Sequence, residues 1–85
     1  MMQKHREVRW VIVGKYGLYV GQWDRRCDAI AQHVHDKFDG SPECGVVSQW
    51  PGNRGRLSES QRLAWGRCRA LGDYVTRAEI IWWST

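Results

Sequence analysis

Arg54, Arg56, Arg62, Arg67 and Arg69 all fall between Gln49 and Leu71, a stretch with one acid, Glu59, so this segment carries a net charge equal to the +4 of the whole 85-residue chain. A guanidinium group binds carboxylate or phosphate through two parallel hydrogen bonds and also stacks on rings. The chemistry indicated is anion recognition. Ser58 followed three residues later by Gln61 has the form of a capping box, which predicts a helix starting near Ser58. Gly52, Gly55 and two arginines precede that start, and free N–H groups beside guanidinium groups make a candidate anion site. Arg62, Gly66 and Arg69, at i, i+4 and i+7, would line the outward side of the helix. Trp65 lies beside this row, where it either covers the edge of the core or offers a ring for base stacking between two cations. The expected partner-binding set is Trp50, Arg54, Arg56, Arg62, Trp65 and Arg69.

Other chemistries have weaker support. His33 and His35 point about 200° apart on a helix, and the chain contains neither C-x-x-C nor H-x-x-x-H, so no metal site is expected. Cys27 and Cys68 fall on core-facing positions, whereas Cys44 in Pro-Glu-Cys-Gly reads as the most exposed thiol. Nothing in the sequence brings a histidine to Cys44, and the Gly52 to Arg56 loop lacks the G-K-[ST] ending of a phosphate-binding loop. Catalysis and cofactors are therefore not expected. Gly52-Asn53-Arg54-Gly55 matches the G-x-x-G loop that clamps nucleotide backbones in K-homology domains, but there the loop joins two helices, and here Trp50 and Pro51 precede it.

The elements that must position the arginines follow from periodicity. Residues 1–7 are polar and basic and predict a flexible arm. Val8 to Val13 and Leu18 to Trp23 read as two strands of a hairpin across Gly14-Lys15-Tyr16-Gly17. Asp24 is expected to cap a helix whose core stripe is Cys27, Ile30, Ala31, Val34 and Phe38, ending near Asp39-Gly40. Residues 41–56 form either a long loop or, at Cys44 to Trp50, a short edge strand. The second helix, near Ser58 to Leu71, places Leu57, Ala64, Cys68 and Leu71 toward the core. Tyr74 to Trp83 reads as the last strand, set beside the first by pairing of Arg9 with Glu79. The expected fold is a single α+β domain over residues 1–85, in the order β-β-α-(β)-α-β. It is an antiparallel sheet of three or four strands with two helices on one face. Trp10, Trp23 and Trp82 are assigned to the core; Trp50 and Trp83 are harder to bury and suggest a protein-binding or self-associating sheet face.

Three cysteines do not form the even-numbered framework of small secreted domains, and no run of about 18 apolar residues exists. A soluble cytoplasmic protein is expected. Trp10-Val-Ile-Val with Tyr16-Gly-Leu-Tyr-Val-Gly-x-Trp23, then Asp28-Ala-Ile30, and Trp65-x-x-Cys-Arg-x-x-Gly-Asp-x-Val75 resemble small accessory proteins of phages and prophages of Gram-negative bacteria. The similarity covers about half the chain, and residues 41–56 have no counterpart in it. What the resemblance implies is a class that includes anti-CRISPRs, whose members act by occupying a host machine. The resulting expectation is a non-catalytic inhibitor of a host defence complex, acting in the bacterial cytoplasm on a protein or ribonucleoprotein partner. The alternative is nucleic-acid or nucleotide binding at the same surface. Homodimerisation is compatible with both.

Overall fold

The computed structural model describes every residue except Leu18, and the side chains of all but residues 18–20. Strand β1 (Gln3–Val13) lies between β2 (Tyr19–Trp23) and β3 (Tyr74–Ser84) in an antiparallel sheet of order β2-β1-β3. Helix α1 (Arg26–Phe38) crosses all three strands, and α2 (Glu59–Ala70) packs on α1. Both helices share one core with the sheet face that carries Ile12 and Val75. The α+β class and the element order match expectation, with three strands rather than four. Leu18, expected at the start of β2, lies outside the described residues.

The N-terminal segment is strand, not a flexible arm. Gln3 to Val13 pair residue for residue with Ser84 to Tyr74, giving each basic side chain a cross-strand partner. Lys4 lies 5.9 Å from the Trp83 ring, His5 stacks on Trp82 with centroids 5.1 Å apart, and His5 Nε2 is 2.6 Å from Ser84 Oγ. Arg6 pairs with Glu79. Strand β3 therefore does lie beside β1, but not through Arg9 and Glu79. With Val8 opposite Glu79, that carboxylate shares a sheet face with Arg6, while Arg9 points to the other face and pairs with Glu7 and Asp24. Because Asp24 is engaged by Arg9, it does not cap α1. Arg25 holds the N-cap position, with no capping side-chain hydrogen bond.

The core contains Ile12, Ala29, Ile30, Val34, Cys44, Val47, Ala64, Trp65 and Cys68, with Trp10, Trp23, Phe38, Leu57 and Val75 packed against it. Three expectations change here: Cys44 is buried rather than exposed, Leu71 is 61% exposed because it follows the last turn of α2, and Trp82 is 42% exposed against His5. Of the two readings of Trp65, the core one holds, at 9% exposure. Trp50 and Trp83 are exposed, as anticipated.

Residues 41–56 form no strand, although Ser41 and Gly45 make an isolated bridge. Their backbone groups find side-chain partners instead. The Val47 N–H donates to Asp39 Oδ1 at 2.9 Å and its carbonyl accepts from His35 Nδ1 at 2.7 Å, which drives the Val47 side chain into the core at 1% exposure. Further along, Gln61 Nε2 donates to the carbonyls of Ser48 and Trp50 at 2.8 and 2.9 Å. The segment is pinned at both ends because buried backbone polar groups must be paired.

Candidate anion-docking site

Gly52 to Arg56 form a tight loop closed by the Gly52 N–H donating to the Arg56 carbonyl at 2.7 Å. Within it Arg54 has φ 60° and ψ 27°, the left-handed region that L-residues avoid. Gly55 also has positive φ, and a Cβ there would stand 2.9 Å from Cys27 Sγ. Only glycine lets this loop press against the first turn of α1. That contact assembles the site. It brings Arg56 to Arg26 on α1 and Arg62 on α2, around a concavity of about 550 Å³ lined by Arg26, Cys27, Gly55, Arg56, Leu57 and Arg62.

The electrostatics of this concavity are one-signed, since its lining contains three arginines and no carboxylate. Among the described residues, Arg26, Arg54, Arg56, Arg62 and Arg69 form no ion pair, whereas Arg67 binds Glu43 at 2.9 Å and Arg25 binds Asp28 at 2.9 and 3.0 Å. Arg26 and Cys27 also begin α1, whose first amides have no side-chain cap. The N-terminus of α2, expected to serve the anion, is differently disposed. The Gln61 N–H donates to Ser58 Oγ at 3.1 Å and the Ser58 N–H donates to Gln61 Oε1 at 2.7 Å, so the capping box already occupies those donors.

The expected residues thus divide. Arg56 and Arg62 meet in the concavity, and Arg54 occupies the loop that forms its wall. Arg69, two turns along α2 from Arg62, stands about 10 Å further along the same stripe by helix geometry. The exposed Trp50 is held at the same end of α2, because its carbonyl is bonded to Gln61, the neighbour of Arg62. Trp65 does not belong to this surface: it packs edge-on to His33, with centroids 6.3 Å apart, inside the core. Arg26 was missed because its partners are tertiary. The signal present in the sequence was Gly55, a glycine whose missing side chain lets the loop close on Cys27 of α1. In the K-homology comparison, the loop here leads into a helix but is not preceded by one.

Arg54 allows a test that separates side chain from backbone. Arg54→Gly removes a left-handed strain of about 1 kcal/mol and loosens the unfolded chain by a similar amount. Its stability by chemical denaturation is expected to stay within about 1 kcal/mol of the parent, while affinity for an anionic partner falls several-fold. Unchanged affinity would remove Arg54 from the docking surface.

A second cluster joins α1, α2 and the turn that leads into β3. His33, Cys68 and Asp73 are buried, and their ligand-type atoms lie within 4.8 Å of one another. Their chemistry does not suit a metal ion. Asp73 Oδ2 already accepts from His33 Nε2 at 3.1 Å and from the Lys37 ammonium at 2.9 Å, and burial pushes the Cys68 thiol up to about 11. A protonated thiol and an adjacent ammonium leave a structural clasp. Burial raises the Asp73 pKa, but the hydrogen bonds and charges of Lys37 and His33 outweigh it and hold the carboxyl below its ordinary value. A depressed folded value contributes stability above the unfolded pKa, about 3.9, that is lost as pH falls through the folded one. Thermal melts should therefore show Asp73→Asn less stable than the parent at pH 7, with the gap closing below about pH 4. A gap independent of pH would contradict the clasp.

No helix among the described residues is long and apolar enough to cross a membrane. No family model, curated protein or solved structure matches the chain.

Proposed function

We propose that the chain is a non-catalytic inhibitor of phage type, which docks on a bacterial host defence complex through the surface formed by Arg26, Arg54, Arg56, Arg62 and Arg69 with Trp50. The observation that carries this reading is the meeting of Arg26, Arg56 and Arg62, from two helices and a loop, around one concavity lined by no acid. Arginines with no ion pair among the described residues are poised for carboxylates or phosphates, and the exposed Trp50, held by its carbonyl at the same end of α2, supplies the apolar anchor common at binding hot spots. The sequence resemblance to phage accessory proteins supplies the class of target. The exposed Trp50, tethered at the same end of α2 as Arg62, also favours a second reading, in which a single-stranded nucleic acid stacks a base there.

The test is protection. Expression of the chain in a bacterium with an active, nucleic-acid-guided defence is expected to raise phage plating efficiency, and the purified chain is expected to co-elute with that defence complex. Failure to protect and to co-elute would overturn the inhibitor reading. Retention of bare oligonucleotides of any sequence in a low-salt gel shift, with steep loss as salt rises, would favour direct nucleic-acid binding instead.

A further inference from the structure

We propose that the free edge of β3 pairs with β3 of a second copy, so that two chains form one continuous antiparallel sheet of order β2-β1-β3-β3-β1-β2. In one chain β3 has a single neighbour, β1, leaving one side of the strand from Tyr74 to Ser84 without a pairing partner in the sheet. An unpaired edge of this length is a template for another strand, and proteins blunt such edges with charged side chains, proline, a bulge or a short strand. This edge has no proline, bulge or shortening, and the two charges it carries, Arg77 and Glu79, are opposite in sign. Its sequence, Tyr-Val-Thr-Arg-Ala-Glu-Ile-Ile-Trp-Trp-Ser, contains no proline or glycine, and its pairing with β1 runs without a register shift.

The charge pattern selects the partner and the register. A two-fold axis normal to the sheet pairs residues of equal parity, which keeps matching faces together. Centring the axis on Arg77 would oppose arginine to arginine, and centring it on Glu79 would oppose glutamate to glutamate. Centring it on Ala78 sets Arg77 of each copy opposite Glu79 of the other, so that Arg77, which lies over the Trp10 ring in the single chain, would join Arg6 as a second cation beside each Glu79. The same register places Val75 opposite Ile81 on that face, and Thr76 opposite Ile80 and Tyr74 opposite Trp82 on the other. Cross-strand pairs of opposite charge and of aromatic or β-branched residues are the favourable ones. Ile81, Trp82 and Tyr74 are 48%, 42% and 46% exposed in the single chain, so pairing would cover apolar surface now facing water. This edge is formed by β3, whereas the arginine concavity is lined by α1, α2 and the loop between them, so the two surfaces are independent.

Sedimentation equilibrium tests this with charge swaps. The parent chain is expected to sediment as a dimer, twice its 9.9 kDa, at micromolar concentration. Arg77→Glu alone and Glu79→Arg alone each oppose like charges and should weaken self-association at least tenfold. Mixing the two single variants places glutamates opposite arginines at both positions, so the mixture should dimerise, as should the double variant carrying both changes. Circular dichroism of each single variant checks that its fold persists. A parent that remains monomeric at 100 μM, with the edge left for some other strand, would overturn the proposal. So would dimers whose mass is indifferent to all of these substitutions, because the contact would then lie elsewhere.

Discussion

Replacing Arg56 and Arg62 together with glutamate is expected to abolish protection of phage in the plating assay and to weaken partner binding at least a hundredfold, equivalent to about 3 kcal/mol. The size follows from sign reversal at the centre of the concavity. Two attractions are lost, two repulsions replace them, and the new carboxylates share the lining with Arg26, whose charge they would offset. Stability should change little, since both arginines are exposed and neither makes an ion pair among the described residues. Surface charges without partners contribute within about 1 kcal/mol to folding. A double variant that folds and still protects would mean that a different surface meets the partner. Arg67→Glu provides the contrast. It breaks the pair with Glu43 at the far end of α2 and is expected to leave protection intact.

Gln61 should give the greatest loss of stability of any polar residue in the chain. It is fully buried, its Oε1 accepts from the Ser58 N–H, and its Nε2 serves the Ser48 and Trp50 carbonyls. Gln61→Leu preserves much of the volume but strands three backbone groups. Each unsatisfied buried group costs roughly 1–3 kcal/mol, moderated where water reaches it, so a loss of about 3 kcal/mol is expected. For a domain of this size that corresponds to a fall in Tm of about 15 °C. The variant should also become sensitive to proteolysis between Ser48 and Gly52, because the loop would lose its tether to α2. A loss under about 1 kcal/mol would show that water replaces the side chain, and that Gln61 does not position Trp50.

Gln61 and the arginine site each carry a part that is legible in the sequence and a part that is not. The capping role of Gln61 was legible because Ser58 and Gln61 are three residues apart and their bonds are local. Its bonds to Ser48 and Trp50 were not, since they depend on a loop path set by Asp39, His35 and Val47. Helix α1 was legible from the period of Ile30, Ala31 and Val34, although its start was misplaced because Asp24 prefers Arg9 to the helix amides. Residues 3–7 looked like an arm because their composition is polar; their pairing with residues 80–84 lies at the opposite end of the chain and leaves no local trace. The arginine site was half legible. Arg56 and Arg62 lie near one another in sequence, but Arg26 joins them only because Gly55 admits the loop against Cys27.

Titration of the isotopically labelled chain with a short polyanion, followed by amide chemical shifts, examines the concavity without reference to any particular host. Short poly-glutamate and a single-stranded oligonucleotide serve as the two probes, at low and at physiological salt. The backbone amides of Arg26, Cys27, Gly55, Arg56 and Arg62 are expected to move together and to saturate with one of the probes, and to stay still in the Arg56→Glu, Arg62→Glu variant. Shifts spread evenly over all the arginines, or confined to β1 and β3, would contradict an anion-docking site at the meeting of α1, α2 and the glycine loop.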